Sequence, residues 1–462
     1  MHKGSLDKAN AISLKINKAI TKFNSSKLSS LSLKTDSHAV WSEVRRITKP
    51  TAIKTRETPI LSNITSDALN SYFASISTDP AYSAPPLKTT ASPLPSTGPF
   101  TEETVFRYLD KLRPTSTGAD SIPAWFLRLG ASIFSLPIAH LFAISAHNSE
   151  LPKQWKTAII HPIPKIPVPL SNNDMRPISV LPILSRIQER IIVSHYLAPS
   201  LQILPPPLSI SNQFAYRATG STTAAVINIL SHVSHLLQTE TQVHVLTFDY
   251  SKAFDTLSHS SLATKLAKCD IPDSIHNLIL NNLTERYHCT LHNSQLSQPA
   301  AITASVVQGS VFGPQLFNLN STDLNTISPQ NQYIKYADDS YLIVPGSNSH
   351  TIPAELKHHA DWAAASNLKL NPSKTSEIVF TRKHTPYPPP TSNVTRVTSL
   401  KILGITVDDK LSFTPHIQQT LTTCSQTLFA FRLLRQTGID THSLQTVFHS
   451  TTISKLLYCS PA

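Results

Sequence analysis

Two adjacent acids, Asp338 and Asp339, stand between two apolar runs, Tyr333-Ile334-Lys335-Tyr336 and Tyr341-Leu342-Ile343-Val344. Alternating apolar runs around a short polar pair read as a β-hairpin with the acids at its tip. Like charges side by side repel, so a fold that presents them together lets them share a cation. Carboxylate oxygens are hard donors that suit Mg²⁺, an ion that keeps several waters and commonly binds phosphates as well. The plain alternative is a solvated turn, which Asp favours through local hydrogen bonds. A third acid, Asp249, ends the apolar stretch His244-Val245-Leu246-Thr247-Phe248. An acid at a strand end beside an acidic hairpin tip is what two-metal phosphoryl transfer requires, since metals about 3.5–4 Å apart draw their ligands from separate segments.

These residues need elements to position them. After Asp249 the chain runs through Tyr250-Ser251-Lys252-Ala253-Phe254-Asp255 into a helical pattern, with Leu262 and Leu266 one turn apart and Ser258 or His259 placed to cap it. Asp255 reads as an acid at a helix start, favoured there by the dipole. Thr101-Glu102-Glu103 opens another helix with acids in its first turn. Pro162–Pro169 holds four prolines and predicts an extended loop or edge strand, because proline donates nothing to a ladder. Residues 1–78 read as mostly helical and polar, with apolar members at helical spacing in Trp41–Ile47 and Ala68–Phe73. Residues 79–99, rich in Pro, Ser and Thr, read as an exposed linker. From Phe413 onward, Ile417, Leu421, Leu428, Phe431 and Leu434 recur at helical intervals beside Arg432 and Arg435.

Seven blocks in order resemble the reverse transcriptase of non-LTR, LINE-type retrotransposons, with a Jockey-like flavour. Trp155-Lys156, Ile163-Pro164-Lys165 and Met175-Arg176-Pro177-Ile178-Ser179 resemble the first fingers block, and Asn212–Arg217 with Gly220-Ser221-Thr222 the second. Phe248–Asp255 is similar to the first catalytic palm motif, Gln308–Pro314 to the nucleotide-pocket block, and Tyr336-Ala337-Asp338-Asp339 to the metal-binding hairpin. Asn367–Thr375 and Leu403-Gly404-Ile405 resemble the blocks that close the palm. Departures accompany the matches: Ala119 in Gly118-Ala119-Asp120, Ala215-Tyr216 for Gly-Phe, Val307 for proline, and the polar run Asn318–Asp323. None removes an acid of the trio.

The resemblance implies an α+β right-hand polymerase with fingers, palm and partial thumb, an antiparallel palm sheet and a helical N-terminal extension. The expected divisions are 1–78 extension, 79–99 linker, 100–240 fingers, 241–407 palm and 408–462 partial thumb. It implies two Mg²⁺ ions, with Mn²⁺ as substitute, on Asp249, Asp338 and Asp339, and Lys374 as the acid that protonates pyrophosphate. Lys165 and Arg176 would clamp the triphosphate, Arg through paired hydrogen bonds and Lys as a point charge. Tyr250, Phe254, Gln308 and Gly309 complete the nucleotide set. Phe254, which read alone is a core aromatic, would exclude a 2′-hydroxyl, and Gly309 would let backbone come close. The implied partners are an RNA template, a DNA primer or target and dNTPs, with endonuclease or RNA-binding protein supplied separately. The alternative is an inactive, truncated or domesticated relative that binds RNA or DNA. An intron maturase-like protein would carry a further C-terminal region.

Composition agrees. Lys+Arg 40 against Asp+Glu 28 gives net +12, an excess that attracts polyanions. Half of the 10 Gly, at 118, 220, 309, 313 and 404, fall inside the blocks above. The four cysteines form no C-x-x-C pair, which points to a reducing compartment. No apolar run of about 18 residues predicts a membrane span, and Met1-His2-Lys3-Gly4 opens no secretory signal. Nucleus or cytoplasm is the expected location.

Overall fold

The computed structural model describes residues 65–89, 98–371, 373–382, 385–392, 394–436 and 438–458, together with Lys18 and Ser460. The helix expected around Trp41–Ile47 lies outside them. The described residues from Thr65 on form two compact units, divided between Thr398 and Ser399.

In the larger unit, one antiparallel sheet carries the central acids. Its order is β12 (Thr395–Arg396), β11 (Ser376–Thr381), β3 (Gln242–Phe248), β9 (Asp339–Pro345) and β8 (Gln332–Tyr336), with β11–β12 the one parallel pair. Its middle strands are covered on both faces: Val243, Val245 and Leu246 of β3 and Leu342, Ile343 and Val344 of β9 have no solvent exposure. Consecutive apolar residues, rather than a strict alternation, are the signature of such a strand. A short strand, β4 (Tyr250–Ser251), pairs with β10 (Lys369–Leu370) just beyond the end of β3.

A second sheet runs β2 (Met175–Val180), β1 (Thr157–Pro164), β5 (Arg286–His292), β6 (Gln295–Leu296), with β7 (Ala300–Ile302) also on β5. Strand β1 shows how a proline-rich stretch enters a sheet. Thr157–Ile160 pair with β5, whereas Pro162 and Pro164 fall where only β2 is alongside. There β1 is an edge, the place where a missing N–H costs least.

Helix α1 (Ser66–Ile76) packs on this second sheet, burying Leu69 and Phe73 against Ile160 and Met175. Thr65 caps it by accepting from the Ala68 N–H. Residues 79–89 are mostly exposed and carry no helix or strand, and they are anchored near their end. Lys88 exchanges backbone hydrogen bonds with the Asn277 amide at 2.9 and 2.8 Å, and its ammonium lies 3.2 Å from Asp273. Helix α2 (Glu102–Asp110), capped by Thr101, opens where the acids indicated.

In the smaller unit, β13 (Ser399–Ile402) and β14 (Ile405–Asp408) form a hairpin whose two turn residues, Leu403 and Gly404, both have positive φ. That is the geometry of a tight two-residue hairpin turn. A single 23-residue helix, Thr414–Gln436, follows where the apolar spacing placed one. Cys269, Cys289 and Cys424 are buried free thiols. Among the described residues, no helix is long and apolar enough to cross a membrane.

Candidate active site

Strands β8 and β9 form the hairpin that the apolar runs indicated. Tyr336 pairs with Asp339, which leaves Ala337 and Asp338 as its two-residue turn. Ala337 takes φ +54, a conformation that strains a residue with a Cβ. The side chain of Gln213, 1% exposed, supports it: Oε1 accepts from the Ala337 N–H at 2.9 Å and from the Ala215 N–H at 3.0 Å. Gln213 belongs to the second fingers-like block, and nothing in the sequence singled it out as the support of the acidic turn.

Phe248 pairs with Ser340, so the next step of that register sets Asp249 across from Asp339. Residues facing one another on antiparallel strands have Cα atoms about 5 Å apart. The segment after β10 holds Asp249 in place. Its backbone carbonyl accepts from the Asn371 N–H at 2.8 Å, and its carboxylate accepts from the Asn371 amide at 3.3 Å. The Lys374 ammonium lies 3.2 Å from the same carboxylate. Electrostatics show the acids acting on one another. Burial, then the Asp249 charge, raises the Asp338 pKa, while Lys374 opposes this. Partial burial, then Asp338 and Asp249, pushes Asp339 up to about 6, although its residue surface is largely open to solvent. Three carboxylates with Lys374 as the cation acting on them form a locus with excess negative charge. Their hard oxygens fit a divalent ion such as Mg²⁺. Among the described residues, however, no group of three His, Cys, Asp or Glu side chains converges tightly enough to enclose a metal.

A second locus gathers the other expected residues. Lys165 and Arg176 sit together at the tip of the β1–β2 hairpin, where Ile163 pairs with Arg176. Partial burial, then Lys252 and Arg176, lowers the Lys165 pKa. Gln308 donates from Nε2 to both carboxylate oxygens of Asp255 at 3.2 Å. Asp255 does lie in the first turn of the short helix Ala253–Thr256, but its buried carboxyl turns toward Gln308 rather than solvent. Burial pushes it up to about 7, against Lys252, Lys165 and Gln308. Gly309 has φ +112, and a Cβ there would meet the Ser179 carbonyl oxygen at 2.4 Å. Close approach is therefore real, and the backbone that comes close is strand β2. The Ser179 N–H also donates to the Gln308 carbonyl at 3.0 Å, so the loop and the β1–β2 hairpin hold one another. The buried carboxylate of Glu189 accepts from Val311 and Phe312 N–H groups at 2.7 and 3.3 Å, fixing the start of helix Phe312–Asn320.

Phe254 is half-buried and stacks on Phe317 of that helix, with centroids 4.7 Å apart and planes at 22°. Tyr250 is placed differently from a nucleotide contact. Its ring is buried, and its hydroxyl pairs with Nε2 of His359 at 2.7 Å, while Tyr333 holds Nδ1 at 2.9 Å. Burial keeps His359 neutral, its pKa lowered to about 3. Tyr250 therefore serves the core with its side chain.

The polar run Asn318–Asp323, a departure from the family pattern, carries its own compensation. Lys265 donates to the Asn320 carbonyl and, at 2.7 Å, to Asp323, while Lys335 donates to the Ser321 carbonyl and, at 3.1 Å, to that of Leu324. Two buried lysines thus donate to the carbonyl end of the helix, although burial lowers the pKa of both, that of Lys335 to about 7.

A strand-end acid and an acidic hairpin turn thus stand beside a basic cluster that holds a buried acid–amide pair. Residues 163–407 match the family described as reverse transcriptase (RNA-dependent DNA polymerase), and the chain belongs to that family. It is similar to the probable RNA-directed DNA polymerase from transposon BS of Drosophila melanogaster, 30% identical over 329 residues, 66% of this chain and 36% of that protein. It is also similar to the RNA-directed DNA polymerase from mobile element jockey of the same organism, 27% identical over 283 residues, 58% of this chain and 30% of that protein. These relatives place it among the non-LTR, LINE-type members, and the chain spans about a third of their length. Among solved structures, apo telomerase from Candida Tropicalis truncated from its C-terminal domain matches at 14% identity and TM-score 0.40, over 57% of this chain and 55% of that one.

Proposed function

We propose that the chain is an RNA-directed DNA polymerase segment that adds dNTPs to the 3′-hydroxyl of a DNA primer on an RNA template. The supporting observation is that Asp249 lies opposite the Asp338–Asp339 turn, with a basic pocket attached through the same Asp249–Asp255 loop. In the reaction the primer oxygen forms a bond to the α-phosphorus, and the bond from that phosphorus to the bridging oxygen breaks. Pyrophosphate departs with the electron pair, and the hydroxyl proton passes to solvent.

The fingers would be residues 100–240, the palm 241–407 and the partial thumb 408–462. Asp249, Asp338 and Asp339 would hold divalent ions, Mg²⁺ or Mn²⁺, which when bound acidify a coordinated hydroxyl and neutralise phosphate charge. Lys165 and Arg176 would bind the triphosphate from the hairpin tip. Phe254, seated on Phe317, would crowd the 2′ position of the incoming sugar. Gln308, fixed by Asp255, would line the pocket from the opposite loop. Lys374 would donate a proton to pyrophosphate once released from Asp249. Nucleus or cytoplasm, where template and primer meet, suits its buried free thiols.

A non-polymerising RNA- or DNA-binding relative is the second reading, favoured by one observation: the Lys374 ammonium pairs with Asp249 at 3.2 Å. Primer extension on an RNA template, with Asp338→Ala alongside, separates the two. Extension by the parent that the substitution abolishes supports the polymerase. Template binding without extension by the parent refutes it.

A further inference from the structure

Helix α1 lies before the residues that match the family, yet it reaches the basic pocket. Its orientation is set by Asn70, 3% exposed. The Asn70 amide donates to the carbonyls of His288 and Gln298 at 3.3 and 2.8 Å, and its oxygen accepts from Thr290 Oγ1 at 2.9 Å and faces His288 Nδ1 at 2.7 Å. With Leu69 and Phe73 buried beneath, one rotation of the helix is fixed. That rotation leaves the Tyr72 ring half-buried at the edge of this cluster, with its hydroxyl reaching Lys252 of the Asp249–Asp255 segment. The Lys252 ammonium donates to the Tyr72 hydroxyl at 2.7 Å and lies 4.6 Å from its ring centroid. The same hydroxyl donates to Asn173 Oδ1 at 3.3 Å, and the Asn173 carbonyl accepts from Lys165 Nζ at 2.7 Å.

We infer that Tyr72 is a positioning residue of the nucleotide pocket: it holds the Lys252 ammonium and, through Asn173, the Lys165 end of the β1–β2 hairpin, so that both cations meet the triphosphate of an incoming dNTP. The assignment rests on the polymerase reading and deepens it. A lysine carries a flexible four-carbon stem and a point charge, so its placement needs an external restraint. Tyr72 supplies two, a hydrogen bond and the negative face of its ring. Lys252 itself sits at φ +57, which turns its side chain out of the helix that follows. Asp255, paired with Gln308, lies close enough to both lysines for their charges to act on it. The pocket without nucleotide thus keeps its cations partly compensated.

The test uses the full chain on poly(rA) primed with oligo(dT), with dTTP as the nucleotide. Tyr72→Phe keeps the ring and removes the hydroxyl. The expected result is a KM for dTTP raised about tenfold, the cost of one hydrogen bond to a charged group, with kcat within about twofold. A dideoxy-terminated primer provides a readout free of chemistry: the dTTP concentration that makes half of the complexes resist a heparin challenge should rise by the same factor. In a Lys252→Met background, Tyr72→Phe should raise KM by clearly less than in the parent, because one of the two cations it positions is gone and only the Asn173 arm remains. Tyr72→Phe indistinguishable from the parent, the same factor in both backgrounds, or a fall in kcat at constant KM each overturns the assignment. A parent that neither extends the primer nor gains heparin resistance from dTTP overturns the polymerase reading beneath it.

Discussion

Gln213→Ala tests how the acidic turn is held. The substitution deletes the acceptor of two backbone N–H groups, Ala337 at 2.9 Å and Ala215 at 3.0 Å, both of them in buried residues. Each hydrogen bond contributes about 1 kcal/mol net, and each N–H left buried without a partner adds about 1 kcal/mol more, giving a loss of about 3–4 kcal/mol. The effect should concentrate at the turn, because Ala337 at φ +54 keeps a conformation costing about 1–2 kcal/mol only while its surroundings impose it. Urea denaturation of parent and variant measures the loss. Single-turnover primer extension measures whether Asp338 and Asp339 remain in place, and a reduction of about tenfold or more is expected. Ala337→Gly, added to Gln213→Ala, relieves the strained φ and should return about 1 kcal/mol. Gln213→Ala with the parent's denaturation midpoint and extension rate would refute the reasoning. So would a double variant less stable than Gln213→Ala alone.

Other outcomes follow from the same geometry. Glu377, unexposed on β11, receives hydrogen bonds from Arg396 at 2.8 and 2.9 Å and Thr391 at 2.7 Å, and pairs with His244 at 2.7 Å. Burial would raise its pKa, but these partners hold it down to about 2 from 4.5. A depressed carboxyl pKa contributes stability that is complete above about 4.5 and lost as pH falls toward 2, about 3 kcal/mol in all. The stability gap between parent and Glu377→Gln should accordingly shrink over that interval in pH-dependent denaturation. Phe254→Ala should lower the preference for dNTP over rNTP incorporation by about tenfold, measured as the ratio of kcat/KM values. Loss of its stack on Phe317 should also cost about 1 kcal/mol of stability. Mg²⁺ should raise the melting temperature of the parent by relieving repulsion among Asp249, Asp338 and Asp339, corresponding to about 1.4 kcal/mol at ten times Kd. Asp339→Asn should lose most of that response, and an equal response in both would remove Asp339 from the ion-binding set.

The acidic hairpin and the strand ending at Asp249 were legible because their signals are local. Apolar runs bounded by polar residues determine a strand and its end, and strand pairing does the rest. The helix opened by Thr101 and the long helix after Phe413 were legible for the same reason. What stayed hidden depends on residues far apart in the chain. Gln213 meets Ala337 across 124 positions, Gln308 meets Asp255 across 53, and Lys252 meets Tyr72 across 180. Periodicity carries no information about such pairs. Residues 79–89 are mostly exposed and hold no helix or strand, but their anchor point could not be read from composition. Their composition suits a free linker, yet the single amide of Asn277 fastens Lys88 by both backbone groups. Tyr250 misled through its position in a catalytic-looking motif, because a side chain next to a key acid on a strand points to the other face.

The family match begins at Ile163, inside β1 rather than at a natural break. Expressing only the homologous segment would slice a strand in half. Strand β5 would lose the neighbour that pairs with Tyr287–Thr290, leaving a raw hydrogen-bonding edge open to other chains. Met175 would be stripped of Leu69, Phe73 and Ile160 together, trading an interior contact for a sticky surface. A soluble minimal fragment therefore has to start upstream of Ser66, and a shorter one is expected to aggregate whatever the state of its chemistry.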